Sequence, residues 1–301
     1  MTDQLGDRIK KQYEDRTRYF LPRRTYTIIR IDGKAFHSYT SKLERPFDLG
    51  LIEDMNMTTQ YLCESIQGAQ YGYVQSDEIS LLLTDFEDIN TQAWFDGNIQ
   101  KIASVAASLA TAKFNQLRYI RACKENEGLY LENIQTIPLA CFDARAYTIP
   151  DRDEVLNYFI WRQNDCSRNS INQVARFYFS HSQLEGKNTN QVQDKLFLEE
   201  GVNWDKFSVR CKRGGFIFKH TENDIIFKLE IELNIINDNK LLAVQRQDYE
   251  TAAKLRSEAN HIIEKIDKIK KETISKNVWN VLDPPIFTKE RIWISGKTPK
   301  L

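Results

Sequence analysis

Two aspartates occupy places where a chain can bring carboxylates together. Asp32 ends the β-rich run at residues 25–31, and Asp77 sits in Ser76-Asp77-Glu78 between two short strand-like segments. If these strands are neighbours, as a βαβ crossover through the intervening helix permits, both carboxylates project from one edge of a sheet. Such a pair repels unless something positive lies between. Mg²⁺ suits that place, because it takes oxygen ligands and keeps sites open for phosphate. Gly33 lets the backbone approach an ion or phosphate closely, and its carbonyl can serve as a ligand. A helix beginning after Gly33 turns the amides of Lys34, Ala35, Phe36 and His37 toward a triphosphate. The pattern predicts two-metal nucleotidyl transfer, one ion activating a hydroxyl and the other clamping pyrophosphate. The plainer alternative stays open: Asp-Gly after a strand is commonly a turn, and Ser-Asp-Glu between strands commonly caps a hairpin.

The elements that must position these residues follow from apolar spacing. Leu5, Ile9, Tyr13 and Phe20 predict an opening helix that stops near Pro22. Residues 25–31 read as a buried strand. Leu51, Ile52, Met55, Leu62 and Ile66 predict a helix over 48–66, with Gly68 as its stop. Residues 71–75 and 79–83 read as a hairpin. Ile99, Ile102, Val105, Ala106 and Leu109 predict a long helix, and 137–149 a further strand. This order implies an α+β fold whose sheet carries helices on one face. The second half predicts a helix from Pro150-Asp151 carrying Val155, Phe159 and Trp161, then a basic turn at Cys211–Lys219 leading into a strand. Ala252, Leu255, Ala259, Ile262, Ile266 and Ile269 form a heptad-like stripe, read as a helix packed on its own domain. A division into residues 1–150 and 151–301 is expected.

Composition narrows the classes. With 301 residues, 28% charged and 41% hydrophobic, the chain can bury a core without staples and is too apolar to be disordered. No apolar run approaches the ~20 residues of a membrane span. The first eleven residues contain acids and no apolar core, so no secretory signal is expected. Five scattered cysteines argue for reduced thiols, hence a cytoplasmic setting, and against a Cys-based zinc site. Lys+Arg and Asp+Glu balance at 42 each, which excludes a grossly basic nucleic-acid binder but not a local basic surface. Gly296-Lys297-Thr298 imitates the end of a P-loop, but Arg291 replaces the upstream glycine and no helix can follow. His181, His220 and His261 lack ligand spacing. Tyr158, Phe159, Trp161, Phe177, Tyr178 and Phe179 could stack bases, although most read as core.

Longer motifs carry a family resemblance. Leu5-Gly-Asp-Arg-Ile-Lys10, Pro22-Arg-Arg24, Ile28-Ile-Arg-Ile-Asp-Gly-Lys-Ala-Phe-His37 and Gln75-Ser-Asp-Glu78 strongly resemble the tRNA-His guanylyltransferase-like proteins, RNA polymerases that extend in the 3′-to-5′ direction. The similarity continues through Asp143-Ala-Arg145, Asn157-Tyr-Phe-Ile-Trp-Arg-Gln163, Gly186-Lys187, Gly201-Val-Asn-Trp204 and Lys212-Arg-Gly214, and fades in the final third. The resemblance implies a palm-like (ferredoxin-like) antiparallel sheet with two Mg²⁺ ions, and a mostly helical C-terminal region with a basic hairpin. It implies that Asp32 and Asp77 bind metal together with the Gly33 carbonyl, and that Lys34, Ala35, Phe36 and His37 line the triphosphate. Ser76, Glu78 and Arg30 then belong to the active-site shell, Asp48 to purine recognition and Lys101 to a phosphate contact. Lys212, Arg213 and the basic C-terminal stripe are expected to hold RNA.

Ser167-Arg-Asn-Ser170 stands where strict tRNA-His guanylyltransferases of eukaryotes carry His-Ile-Asn-Asn. That difference implies templated repair of 5′-truncated tRNA, with GTP, ATP or other triphosphates as substrates and guanylate addition possible. Arg45-Pro-Phe-Asp48 departs from the family's Lys-Pro-Asn-Asp. A homotetramer, built as a dimer of dimers, is expected by resemblance. A nucleotidyl cyclase on the same palm and a non-catalytic RNA-binding protein are the alternatives.

Overall fold

A computed structural model describes residues 3–125, 137–220, 222–246, 248–271 and 278–301. Its sheet has strands β1 (Tyr26–Gly33), β2 (Ala69–Gln75), β3 (Glu78–Leu83), β4 (Phe142–Ile149), β5 (Gly215–His220) and β6 (Val278–Leu282), in the order β4-β1-β3-β2-β5-β6. β1 pairs antiparallel with both β3 and β4. The crossover expected to make β1 and β2 neighbours instead leaves room for β3 between them. The carboxylates therefore meet through the β1–β3 ladder.

Both faces of β1 are covered, which accounts for its nearly unbroken apolar run. Tyr26 and Ile28 face helix α5 (Arg152–Tyr178), in a cluster with Tyr71, Tyr73, Leu82, Val155, Leu156 and Phe159. The opposite face meets α4 (Ile99–Glu125), while α3 (Leu49–Ser65) packs on β2 of the same sheet and against α4. A side chain at Gly72 would come within 2.8 Å of Thr59 and 2.9 Å of Cys63, so glycine there lets α3 lie close to the sheet. Helices on one face thus describes residues up to 150 only; α5 covers the other face. Asp54, buried on α3, ties the two helices together by accepting from Arg118 (3.1 Å) and twice from Arg121 (2.9 and 2.8 Å).

Local departures from expectation have identifiable causes. The strand expected from 137 begins at Phe142, because Ala140 exchanges hydrogen bonds with the Asn115 side chain on α4 (2.9 and 2.8 Å) rather than with β1. The opening helix α1 (Gln4–Ile9) gives way to a wider turn at Lys10–Glu14, and its apolar residues Leu5, Ile9 and Tyr13 are exposed. A short helix, α2 (Phe36–Tyr39), follows β1. Beyond α5 come α6 (His181–Leu184), α7 (Thr189–Glu200) and α8 (Val209–Arg213). Cys211–Arg213 close the short helix α8, and the expected basic turn leads into β5. Gly214 makes the turn into β5 at φ 76°, where a Cβ would lie 2.3 Å from the Val74 carbonyl.

The chain divides into Met1–Phe218 with Val281–Leu301, and Lys219–Asn280. The expected boundary at 150 falls inside the first unit, since α5 lies on the sheet and β5 pairs with β2. The second unit holds α9 (Glu222–Gln245) and α10 (Tyr249–Lys271), which pack together; α10 buries Ala252, Ala259, Ile262 and Ile266 of the apolar stripe. The side chain of Ile269 lies outside the described residues. A last helix, α11 (Arg291–Lys297), belongs to the first unit.

Candidate active site

The β1–β3 register sets Asp32 opposite Glu78, and the β1–β4 register sets it opposite Asp143. Ser76 and Asp77 form the two-residue tip joining β2 to β3. The Gly33 N–H donates to the Asp77 carbonyl (3.1 Å), pinning that tip to the end of β1. Asp32 and Asp77 are thereby brought to one edge of the sheet. Ser76 holds a left-handed conformation (φ 49°) and its hydroxyl donates to Asp77 Oδ1 (3.0 Å).

Charge around the edge is unevenly neutralised. Buried Glu78 accepts from Arg30 Nη2 (2.6 Å) and, through both oxygens, from Arg162 Nη1 (2.8 and 3.1 Å). Arg30 also reaches Asp32 at 3.6 Å. Among the described residues Asp77 has no ion pair, and burial, followed by the nearby Asp32 and Glu78 charges, pushes its carboxyl above the ordinary range. A carboxyl with a raised folded-state pKa favours folding only while protonated, so its contribution is complete at low pH. It is lost as pH rises through the folded value. Asp77→Asn is therefore expected to raise the melting temperature of the metal-free protein at neutral pH and to leave it nearly unchanged near pH 3, in paired thermal melts.

Beside this edge lies a cavity of about 320 Å³, lined by Arg30, Asp32, Asp48, Ser76, Asp77 and Glu78. That volume suits a small-molecule ligand. Sequence reasoning missed its remaining wall: Asp165, Asn169 and Gln173 from α5, and Arg210 beside them. The signal was present, since Arg162, Asp165, Asn169 and Gln173 recur at three- and four-residue steps as a polar stripe on an otherwise apolar helix. Asp48 caps α3, accepting from the Leu51 N–H (2.6 Å) and the Glu44 N–H (3.3 Å). It therefore serves the fold as well as lining the cavity.

Other expected positions fall elsewhere. The Lys34 amide donates to the Cys141 carbonyl (2.8 Å) and is not available to a triphosphate, although its side chain is exposed. Phe36 is buried against Phe114 and Phe142, and its ring lies where a Cβ on Gly33 would be, 2.2 Å away. Packing alone thus demands glycine at 33. Ala35 precedes α2 in a left-handed conformation and His37 is exposed on its first turn. Lys101 lies thirteen residues along α4 from Phe114, which packs beneath Gly33, a separation of about 20 Å along the helix. Within one chain it is not part of the site, because α4 spans the length of the sheet. Lys212 is buried, its ammonium donating to the Asp205 carbonyl (2.5 Å) and lying over the Trp204 ring, so it offers RNA no exposed charge. Arg213 is partly exposed at the end of α8.

No group of three or more His, Cys, Asp or Glu side chains arranged to hold a metal occurs among the described residues. Two carboxylates and a backbone carbonyl are nonetheless an all-oxygen donor set of the kind Mg²⁺ uses when phosphate and water complete its shell. The Asp77 carboxylate, held by the Ser76 hydroxyl but facing no cation among the described residues, fits a divalent cation there.

Comparison with known proteins gives concordant results. The family model described as Thg1, tRNAHis guanylyltransferase, matches residues 7–150. A bacterial tRNA(His) guanylyltransferase (Thg1)-like protein solved in complex with ATP is 36% identical, covers 98% of this chain and 99% of its own, and superposes with a TM-score of 0.72. A complex of such a bacterial protein with GTP gives 35% identity and a TM-score of 0.66, with the same coverage. The tRNA(His) guanylyltransferase of Debaryomyces hansenii is 28% identical over 221 residues, 69% of this chain and 78% of that protein. The shared motifs, the flanked antiparallel sheet and the full-length match to the bacterial protein place this chain in the tRNA(His) guanylyltransferase (Thg1) family.

Proposed function

We propose that the chain adds nucleotides to the 5′-end of tRNA, in the 3′-to-5′ direction and under the direction of the opposite strand. The observation that carries this reading is the meeting of Asp32 and Asp77, the latter without an ion pair among the described residues, beside a cavity that can take a nucleotide. The likeness to bacterial family members solved with ATP and with GTP supports triphosphates as the occupants.

In this reading the 3′-hydroxyl oxygen of an incoming nucleotide forms a bond to the 5′-phosphorus of the RNA. The bond from that phosphorus to pyrophosphate or AMP breaks. Two Mg²⁺ ions held by Asp32, Asp77 and the Gly33 carbonyl would supply hydroxyl activation and charge neutralisation. The protein's own part is positional. Glu78, clamped by Arg30 and Arg162, fixes the strand end from which Asp32 projects. The Gly33–Asp77 hydrogen bond holds the second carboxylate to the first. Asp48 retains lone pairs beyond those used by its cap and can accept from the N–H edge of a purine. RNA is selected by shape, 2′-hydroxyl and phosphate contacts rather than by groove reading, and a homotetramer belongs to the same reading.

Asp48 separates its two roles by substitution. Asp48→Asn keeps a good helix cap, so stability should change by less than about 0.5 kcal/mol while preference among triphosphates shifts. Asp48→Ala should cost about 1 kcal/mol in denaturant unfolding.

The test of function is incubation with 5′-truncated tRNAs that differ at the opposing base, with each triphosphate in turn. Incorporation that follows the complementary base and stops with EDTA is expected. A cyclic nucleotide formed without RNA would assign the palm to a cyclase. Tight tRNA binding with no product from any triphosphate would leave an RNA-binding protein.

A further inference from the structure

The motifs around Trp161 and Arg145 have no part in the nucleotide cavity, yet both adjoin it. Of the six aromatics that could stack a base, Tyr158, Phe159 and Phe179 are buried. Phe177 and Tyr178 are exposed at the C-terminal end of α5, about one turn beyond Gln173, where they pack on each other and lie over 20 Å along the helix from Arg162 and its contact with Glu78. Trp161 is 51% exposed and is linked to the carboxylate edge through Arg162. One ring face holds the Arg162 guanidinium at 3.4 Å, and that guanidinium in turn holds Glu78, the cross-strand partner of Asp32.

Among the described residues β4 has only β1 as a neighbour, so the described sheet is open on this side. Arg145 stands opposite Arg30 in the β1–β4 register, two positions from the Asp32–Asp143 pair and on the same face, with its side chain 57% exposed. Tyr147, on the same face of β4, packs against Tyr158, which packs against Trp161 (ring centroids 6.2 and 5.9 Å apart). An exposed indole and an exposed guanidinium thus lie along one open edge leading to the carboxylates. Asp143 contacts Arg145 at 3.3 Å, which occupies only part of a five-donor guanidinium. A flat π-face with an adjacent cation matches a nucleic-acid end, where a base pair supplies a planar surface and the backbone a phosphate.

We propose that the terminal base pair of the RNA stem stacks on Trp161, with its backbone phosphate at Arg145, so that the 5′-end is presented to Asp32 across the open edge of β4. The inference rests on the RNA-directed activity proposed above, but its test needs binding only. The probe is a hairpin RNA with 2-aminopurine in its terminal base pair, titrated with full-length protein in EDTA.

Wild-type protein is expected to bind the hairpin and quench the 2-aminopurine. Trp161→Ala should bind about tenfold more weakly, without quenching, whereas Trp161→Tyr should retain most of both. Arg145→Gln should weaken binding and flatten its salt dependence. Full-affinity binding by wild type with the terminal 2-aminopurine unquenched would overturn the proposal without any variant being needed. Equal affinity and quenching in a folded Trp161→Ala would do the same. Wild type that binds no RNA stem at all would instead bring down the RNA-directed function on which the inference stands.

Discussion

Asp32→Ala and Asp77→Ala should each lower nucleotide addition to a 5′-truncated tRNA by about a thousandfold or more while the protein stays folded. The size follows from the chemistry. Phosphoryl transfer gives a protein little to do beyond positioning and charge neutralisation, so losing a ligand of the neutralising cations removes most of the catalysis. Folding should survive because neither side chain anchors a core. Asp32 is about one-third exposed and shares Arg30 only loosely, and Asp77 has no ion pair among the described residues. Single-turnover rates with saturating Mg²⁺, paired with thermal melts, separate the two effects. Near-normal addition by either folded variant would remove that carboxylate from the mechanism.

Arg162→Ala should act in the opposite proportion, mainly on the fold. Arg162 is 3% exposed and holds both oxygens of buried Glu78. Removing it leaves that carboxylate with Arg30 alone, and breaking a buried pair from one side costs about 3–5 kcal/mol. Activity should fall as well, since Glu78 sets the strand end that carries Asp32. Arg162→Lys keeps the charge but loses the planar fork and the contact with Trp161, so an intermediate loss is expected. Glu78→Gln combined with Arg162→Ala should be less destabilising than the sum of the single changes, in denaturant unfolding, because the orphaned charge is then gone. Strict additivity would mean that the clamp carries no coupling energy.

Much of this was readable before any coordinates. The apolar run at 25–31, the hairpin around Ser76-Asp77 and the periodicity from 48 to 66 are strong local patterns, and the structure contains the corresponding elements. The paired aspartates were legible because a strand end and a hairpin tip are both sheet-edge positions. What escaped depends on long-range packing. That β3 rather than β2 adjoins β1 is not legible in the sequence, because pairing order is not written in local periodicity. The strand start slipped from 137 to 142 because Asn115, on a distant helix, takes the backbone bonds of Ala140.

Charge was the least reliable guide. Lys212 lies in a basic tripeptide, yet its ammonium is consumed by Asp205 and Trp204. Lys101 follows the motif order but sits at the far end of α4. The polar stripe on α5, spaced by threes and fours, was hidden beside the apolar stripe that identified the helix. Residue 150 falls inside the larger unit because α5 covers the sheet to which β4 belongs.

The most direct measurement is anomalous diffraction from crystals of the protein grown with Mn²⁺ and a non-hydrolysable ATP analogue. Metal peaks between the carboxylates of Asp32 and Asp77, shared with the triphosphate in the adjoining cavity, are expected. A nucleotide seated elsewhere, or Mn²⁺ bound away from both aspartates, would contradict the assignment of this sheet edge as the catalytic centre.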